Sequence, residues 1–192
     1  ILDAGFRKIQ RIPHGETAGE QYLEIPNNAA GYVTSISNNL DGALVYATSW
    51  TRGTKIYQYD PKADAFEDTG MMPAGKYDNL EGYSSREVMV ISHDGVMVPL
   101  SIMFKSDIQL NGKNPTLIQG YGSYGISSNV YYNPLRIAWL EKGGVLAVAH
   151  VRGGGAYGRE WHAAGQKTTK PNTWRDFIAC TEYLIAEGYT SK

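Results

Sequence analysis

The spacing of apolar residues changes near residue 80, and this change constrains the fold more than any other feature of the sequence. Before it, short runs of β-branched and aromatic residues alternate with turn formers such as Asp41-Gly42 and Arg52-Gly53. After it, strand-like runs alternate with stretches of helical period, which is typical of an α/β layer. The sequence therefore predicts two regions of different architecture, 1–77 and 78–192.

The first region carries four predicted strands in close succession, at 33–37, 43–50, 55–60 and 65–69. Four strands in about 40 residues fit one antiparallel blade of a β-propeller. Two earlier strands, 7–12 and 22–25 with 13–20 between them, are typical of the end of a preceding blade. One and a half blades do not close a ring, and a small β-meander is the alternative for this region.

The second region carries predicted strands at 87–92, 96–104, 116–119 and 145–151. Asp94-Gly95 lies between the first two and supplies the positive φ angles of a tight hairpin. The last run is almost continuously apolar, which indicates a strand buried on both faces. With helices between and after the strands, this order predicts the beginning of a parallel sheet.

Two helices are predicted in the second region. Asn133 and Pro134 cap and start a helix at 135–142, and glycines end it. The second helix is predicted to begin at Thr173, with Asp176 completing a capping-box-like pair, and to end at Gly188. Six side chains are expected on its buried stripe: Trp174, Phe177, Ile178, Thr181, Leu184 and Ile185.

Charge and composition exclude several classes of protein. The chain has 18 Lys plus Arg against 19 Asp plus Glu, so it lacks the basic footprint of a nucleic-acid-binding or membrane-surface protein. No apolar run approaches the ~18 residues of a membrane span. The single cysteine, Cys180, has no partner for a disulfide or a zinc site, and we expect it to pack inertly in the last helix.

The glycine-rich segment 120–125 follows a predicted strand and matches two motifs incompletely. It has the G-x-G-x-x-G spacing of a dinucleotide site, but no helix follows at once and no acidic residue stands at a strand end about 20 positions on. It also lacks the first glycine of the nucleophile elbow G-x-S-x-G, since Tyr121 occupies that position. We therefore expect Ser123 to be a loop serine.

A second glycine cluster, 152–155, directly follows the buried strand. Both glycine loops are expected at the carboxyl ends of parallel strands, where open α/β sheets bind their ligands. Arg152 either binds a substrate carboxylate or forms a structural ion pair. The four histidines show no metal-ligand spacing, and His162 is interpreted as a packing or hydrogen-bonding residue. No metal or organic cofactor is predicted.

Six short motifs occur in order along the second region: 120–125, 143–147, 151–155, 160–162, 172–177 and 187–191. Together they resemble the prolyl oligopeptidase family of serine peptidases, including the oligopeptidase B type, from Tyr83 onward. The resemblance implies an α/β fold: the first part of an α/β-hydrolase domain over 78–192, preceded over 1–77 by the last strands of a β-propeller. Ala156 departs from the family pattern, which has an acidic residue there, and leaves local ion pairing in doubt.

The resemblance also implies an activity, the hydrolysis of short peptides by a serine endopeptidase through an acyl-enzyme, without a cofactor. It assigns the Tyr121 hydroxyl to the oxyanion hole and Tyr124 to the wall of the substrate pocket. Expected partners are short peptides and the remainder of the hydrolase and propeller domains, with neither nucleic acid nor membrane. Whether cleavage follows proline or a basic residue stays open, as does a cytoplasmic or periplasmic location.

The resemblance places the nucleophilic serine, the aspartate and the histidine of the family beyond Lys192. We therefore expect the sequence to be a piece of a longer soluble protein, cut at both ends and inactive by itself. The alternative function is a non-catalytic binding module that kept the propeller and hydrolase scaffold.

Overall fold

The computed structural model describes residues 1–12, 21–37, 39, 41–79 and 81–192. The predicted link 13–20, which includes His14, lies outside these residues. The chain divides into two compact units, Ile1–Asn79 with Asn129–Tyr132, and Leu80–Ser128 with Asn133–Lys192. Within the described ranges, no helix is long and apolar enough to cross a membrane.

The described residues of the first unit form three antiparallel sheets. Two are short ladders, β1 (Leu2–Asp3) with β2 (Phe6–Arg7) and β3 (Gln10–Arg11) with β4 (Gln21–Tyr22). A 3-10 turn at Pro26–Asn28 leads into the third, whose four strands pair in chain order: β5 (Ala30–Ile36), β6 (Ala43–Thr48), β7 (Lys55–Asp60) and β8 (Ala65–Asp68). The four predicted strands are confirmed. The strand predicted at 7–12 is wrong, because its two ends pair with different partners.

The core of this unit lies against the four-stranded sheet. Ile25, Ala47 and Tyr57 are buried together, with Ile9 and Phe66 packed against them. Trp50 is almost fully buried, and its ring lies 6.4 Å from that of Tyr131, measured between centroids. Segment 129–132 therefore contributes to the packing of the first unit although the chain reaches it much later.

In the second unit, residues 81–128 and 133–192 form one mixed sheet and three helices. The strands are β9 (Tyr83–Ile91), β10 (Met97–Lys105), β11 (Thr116–Gln119) and β12 (Val145–Ala149), in the order β11-β12-β10-β9. The helices are α1 (Pro134–Glu141), α2 (Arg159–Ala163) and α3 (Pro171–Ala186), with a 3-10 turn at Lys167–Thr169. Only β11 and β12 are parallel, and β10 runs antiparallel to both its neighbours.

The core of the second unit is built on β10 and β12. Val98, Leu100 and Ile102 of β10 are fully buried, as is Val145 of β12. Cys180 and Leu184 of α3 belong to the same buried cluster. The α/β prediction is confirmed, and β12 is the interior strand that its apolar run predicted. The predicted parallel sheet is wrong for β10, which joins the sheet as half of an antiparallel hairpin with β9.

The hairpin predicted at Asp94-Gly95 is confirmed, but only Gly95 of the two residues has a positive φ. The connection between β9 and β10 spans five residues and is closed by a 2.8 Å bond from the Ser92 amide to the Val96 carbonyl. Gly95 has a φ of 83°, whereas Asp94 keeps a negative one.

The start and the buried face of α3 also differ from the prediction. The helix begins at Pro171, where a missing N–H costs nothing because first-turn amides have no helical partner. Asp176 is no cap, because it lies in the second turn with its carboxylate on Arg152. Trp174 is 58% exposed and Ile178 is 54% exposed, so the predicted stripe is displaced. The true buried face holds Thr173, Asp176, Cys180 and Leu184.

The predictions for α1 are confirmed. The Asn133 side chain accepts a 3.0 Å bond from the Leu135 amide, Pro134 starts the helix, and Gly143 follows it with a φ of 78°. The sequence did not predict α2.

Candidate functional site

Two glycine-rich loops meet at one edge of the sheet in the second unit. Because β11 and β12 are adjacent and parallel, the loops that follow them leave from the same edge. The Gly125 amide donates to the Gly153 carbonyl at 3.1 Å, and the Gly155 amide donates to the Ile126 carbonyl at 3.3 Å. The prediction that both loops lie at the carboxyl ends of parallel strands is confirmed.

The glycines are required by the close approach of the two backbones. A Cβ atom on Gly153 would lie 2.2 Å from the Gly122 carbonyl oxygen, and one on Gly155 would lie 2.2 Å from that of Gly125. Gly153 also has a φ of 95°, a conformation that side chains disfavour. These contacts explain the glycine pattern without a bound nucleotide, and α1 begins too late for a dinucleotide fingerprint.

The two predicted site residues lie on the first of these loops. Tyr121 is 51% exposed and borders a cleft of about 10 Å³, large enough for roughly one water. Tyr124 is 82% exposed and has a φ of 56°, which is rare for an aromatic residue. Tyr124 does not line the cleft. The structure thus brings the two tyrosines to one loop without testing their assigned roles.

Arg152 forms a buried ion network instead of facing a substrate. Its guanidinium donates to Asp176 at 2.9 and 2.6 Å and to Asp94 at 2.6 and 3.0 Å. Ser92 donates to the same Asp176 carboxylate at 2.6 Å. The pKa of Asp94 is lowered by its hydrogen bonds with Arg152, and the pKa of Arg152 is raised by its hydrogen bonds with Asp176 and Asp94. Of the two alternatives for Arg152, the structural ion pair is confirmed.

Lys170, directly before α3, and Thr173 in its first turn contact the two glycine loops. Thr173 donates to the Arg152 carbonyl at 2.7 Å, and the Lys170 ammonium donates to the Gly122 carbonyl at 2.5 Å and to the Ser123 hydroxyl at 3.1 Å. The expectation that Ser123 is a loop serine fits its position beside this lysine. The sequence did not predict the contacts of Lys170 and Thr173 with these loops. Lys170, Thr173 and Asp176 are spaced three residues apart, and this spacing is typical of side chains on one face of a helix.

A hydrogen-bonded chain runs through the sheet beside the cleft. Ser101 donates to the Glu87 carboxylate at 2.5 Å and lies 2.9 Å from Nε2 of His150. The Ser101 hydroxyl donates its single hydrogen bond to Glu87, so its oxygen accepts the bond from Nε2 of His150. Ser101 is fully buried, so this Ser-His-Glu set has no access to a substrate. Burial lowers the pKa of His150 to about 4.

The remaining candidates behave as structural residues. Nδ1 of His162 lies 2.8 Å from the Gly153 carbonyl, which confirms the hydrogen-bonding interpretation. Cys180 is fully buried in α3, which confirms that it packs in the last helix, and burial raises the pKa of its thiol to about 12. Among the described residues, no group of three or more His, Cys, Asp or Glu side chains is placed to hold a metal ion.

Comparison with known proteins identifies relatives of this chain. A model of the Prolyl oligopeptidase family matches residues 131–192. A prolyl endopeptidase of Elizabethkingia meningoseptica is 45% identical over 114 residues, which are 59% of this chain and 16% of that protein. An uncharacterized peptidase of Sinorhizobium fredii is 33% identical over 193 residues, covering 100% of this chain and 26% of that one.

The chain belongs to the prolyl oligopeptidase family. A solved prolyl endopeptidase superposes with a TM-score of 0.80 at 30% identity, covering 98% of this chain and 28% of the other. Oligopeptidase B from Trypanosoma brucei superposes with a TM-score of 0.78 at 30% identity, covering 97% and 28%. The chain therefore spans about a quarter of these prolyl oligopeptidase structures, and the resemblance read from its motifs is confirmed.

Proposed function

We propose that this chain is part of a serine peptidase that hydrolyses short peptides through an acyl-enzyme. In this proposal 1–77 is the end of a β-propeller, about one and a half blades, and 78–192 is the first part of an α/β-hydrolase domain. Support comes from relatives named as peptidases and from two units that each align with part of prolyl endopeptidase and oligopeptidase B structures.

The position of Tyr121 is the observation on which the proposed chemistry rests. Attack on a peptide carbonyl builds negative charge on its oxygen, and a fixed donor aimed there stabilises the transition state. Tyr121 is half-exposed at the carboxyl end of β11, on a loop whose backbone is bonded to 153–155 and to Lys170. A phenol held by such a loop is suited to donate its hydroxyl proton to an oxyanion.

The nucleophile is proposed to lie outside these 192 residues. No serine in the sequence has glycine at both the second position before it and the second position after it, as a nucleophile elbow requires. Ser123 has only the second of these glycines and accepts a hydrogen bond from Lys170, and Ser101 is fully buried. A serine, a histidine acting as its general base, and an aspartate from elsewhere would complete the site.

Tyr124 is proposed to line the pocket for the substrate residue before the cut. Tyr124 is largely exposed and has a positive φ. A propeller over the entrance would restrict substrates to short peptides. No metal or cofactor is required by this proposal.

The test of the oxyanion role is Tyr121→Phe in the protein that carries this chain, with a fluorogenic peptide as substrate. Loss of one such donor is expected to lower kcat by about 10² to 10³ and to leave KM almost unchanged. An unchanged kcat would remove Tyr121 from the oxyanion hole. Stoichiometric labelling with a fluorophosphonate distinguishes a working serine peptidase from a non-catalytic binding module, which would not react.

A further inference from the structure

Lys170 spans the gap between the start of α3 and the loop that carries Tyr121. Its ammonium donates to the carbonyl of Gly122, the residue directly after Tyr121, at 2.5 Å, and to the Ser123 hydroxyl at 3.1 Å. The side chain is partly buried, so these bonds are shielded from solvent. Charge-assisted hydrogen bonds of this kind are about twice as strong as neutral ones.

The loop is confined on its other sides by backbone and by Thr173. A Cβ atom on Gly122 would lie 2.3 Å from Cγ2 of Thr173, and the Gly122 carbonyl faces Gly153. Gly122 has a φ of 60° and is buried. Gly122 is thus fitted between α3 and the second glycine loop, and Lys170 is bonded directly to its carbonyl.

The same face of α3 also fixes the second glycine loop. Thr173 binds the Arg152 carbonyl at 2.7 Å, and Asp176 binds the Arg152 amide at 3.0 Å. Lys170, Thr173 and Asp176 therefore attach both loops to one rigid helix. Of these attachments, only the Lys170 bonds reach the Tyr121 loop by a polar contact.

From this geometry we propose that Lys170 is a positioning residue, which fixes the Tyr121 hydroxyl by bonding the carbonyl of the next residue. The inference rests on the proposed oxyanion role of Tyr121. Lys170 touches no reacting atom, and its effect is conveyed through the Tyr121-Gly122 backbone. Displacements of about 1 Å at a catalytic group lower rates by up to about 10².

The experiment compares Lys170→Met with Lys170→Arg in the protein that carries this chain, using a fluorogenic peptide. Methionine keeps the length and apolar stem of lysine but donates no hydrogen bond, whereas arginine keeps a donor. We expect Lys170→Met to lower kcat about tenfold, with KM changed less than about twofold, and Lys170→Arg to recover part of the loss. Lys167→Met is the matched control, because Lys167 is exposed three residues earlier, and it should leave kcat unchanged.

A double-mutant cycle separates positioning from general stabilisation. If Lys170 acts through the Tyr121 hydroxyl, Lys170→Met should change kcat less than about twofold when Tyr121 is already phenylalanine. Equal losses in both backgrounds would overturn the positioning role while leaving the oxyanion proposal intact. A Tyr121→Phe variant with full activity would overturn both.

Hydrogen exchange gives a second readout that does not depend on turnover. The Gly125 amide, bonded to the Gly153 carbonyl, should exchange faster in Lys170→Met than in the parent protein or in Lys167→Met. Unchanged exchange across 121–125 would show that Lys170 does not hold the loop.

Discussion

Asp176 accepts three hydrogen bonds from Arg152, at 3.0 Å from the backbone amide and at 2.9 and 2.6 Å from the guanidinium. Asp176 is fully buried and Arg152 is 4% exposed. Both charges are buried, so they depend on their hydrogen bonds to each other, together with the bond from Ser92 to Asp176 and those from Arg152 to Asp94. The pair joins α3 to the end of β12, where the second glycine loop begins.

Removing one member of this pair should strongly destabilise the fold. Asp176→Leu leaves part of the Arg152 guanidinium buried without a partner, and we expect the free energy of unfolding to fall by about 3 to 5 kcal/mol. Urea unfolding measures this change, with Glu182→Gln on the exposed side of α3 as the control. The double variant Arg152→Met with Asp176→Leu should lose less than the sum of the single losses, and strict additivity would contradict a coupled pair.

The backbone contact between the glycine loops can be tested with a matched pair of alanine variants. Gly153 and Gly158 both have positive φ values, 95° and 79°, so alanine is strained at either position. Only at Gly153 would the new Cβ meet backbone oxygens, whereas nothing lies within 4 Å at Gly158. We expect Gly153→Ala to lower the melting temperature clearly more than Gly158→Ala. Equal decreases in melting temperature for the two variants would show that the two glycine loops can move apart without a cost in stability.

Stability should depend on pH through His150. Its folded pKa of about 4 lies below the ordinary histidine value of 6.5, because burial disfavours the charged ring. As the pH falls from about 6.5 to about 4, the unfolded chain binds a proton that the folded chain does not, so stability decreases. Over this pH range the free energy of unfolding should fall by about 3 kcal/mol in total, since each pKa unit corresponds to about 1.36 kcal/mol.

Urea unfolding of the parent and of His150→Gln at pH 7, 5 and 4 tests this dependence. Glutamine does not titrate, so the difference between the two proteins isolates the histidine from the carboxylates. The difference in the free energy of unfolding between the parent and His150→Gln should decrease as the pH falls. A difference that is constant over this range would contradict the buried neutral state of His150.

Cys180 should be chemically silent in the folded protein. Its thiol is fully buried, and its pKa of about 12 leaves almost no thiolate at pH 8. We expect no reaction with a disulfide reagent at pH 8 within the time in which the urea-unfolded chain reacts completely. Rapid labelling without denaturant would indicate that α3 leaves the sheet.

The sequence predicted those features that local patterns determine. The strands at 55–60 and 116–119 have the predicted bounds, because dense β-formers lie between strong turn residues. The start of α1 is also correct, since Asn133 caps and Pro134 opens the helix within three residues. Each of these signals is complete within a few positions.

Features set by distant partners were missed. Asp94 was interpreted as a turn residue and Asp176 as a cap, yet both bind Arg152, which lies 58 and 24 positions away. The buried face of α3 follows this ion pair more than it follows apolar spacing, so Trp174 and Ile178 face outward. Lys170 was missed for the same reason, because its acceptor at Gly122 is 48 positions away.

The spacing of Lys170, Thr173 and Asp176 has a consequence for how this segment can vary in length. An α-helix turns about 100° per residue. One residue inserted or deleted between Lys170 and Asp176 would rotate these two residues relative to each other about the helix axis. If one of them kept its contact with a glycine loop, the other would lose its contact with the other loop. Genes that preserve this arrangement should therefore tolerate many substitutions on the outer surface of α3 but no single-residue insertion or deletion within 171–175.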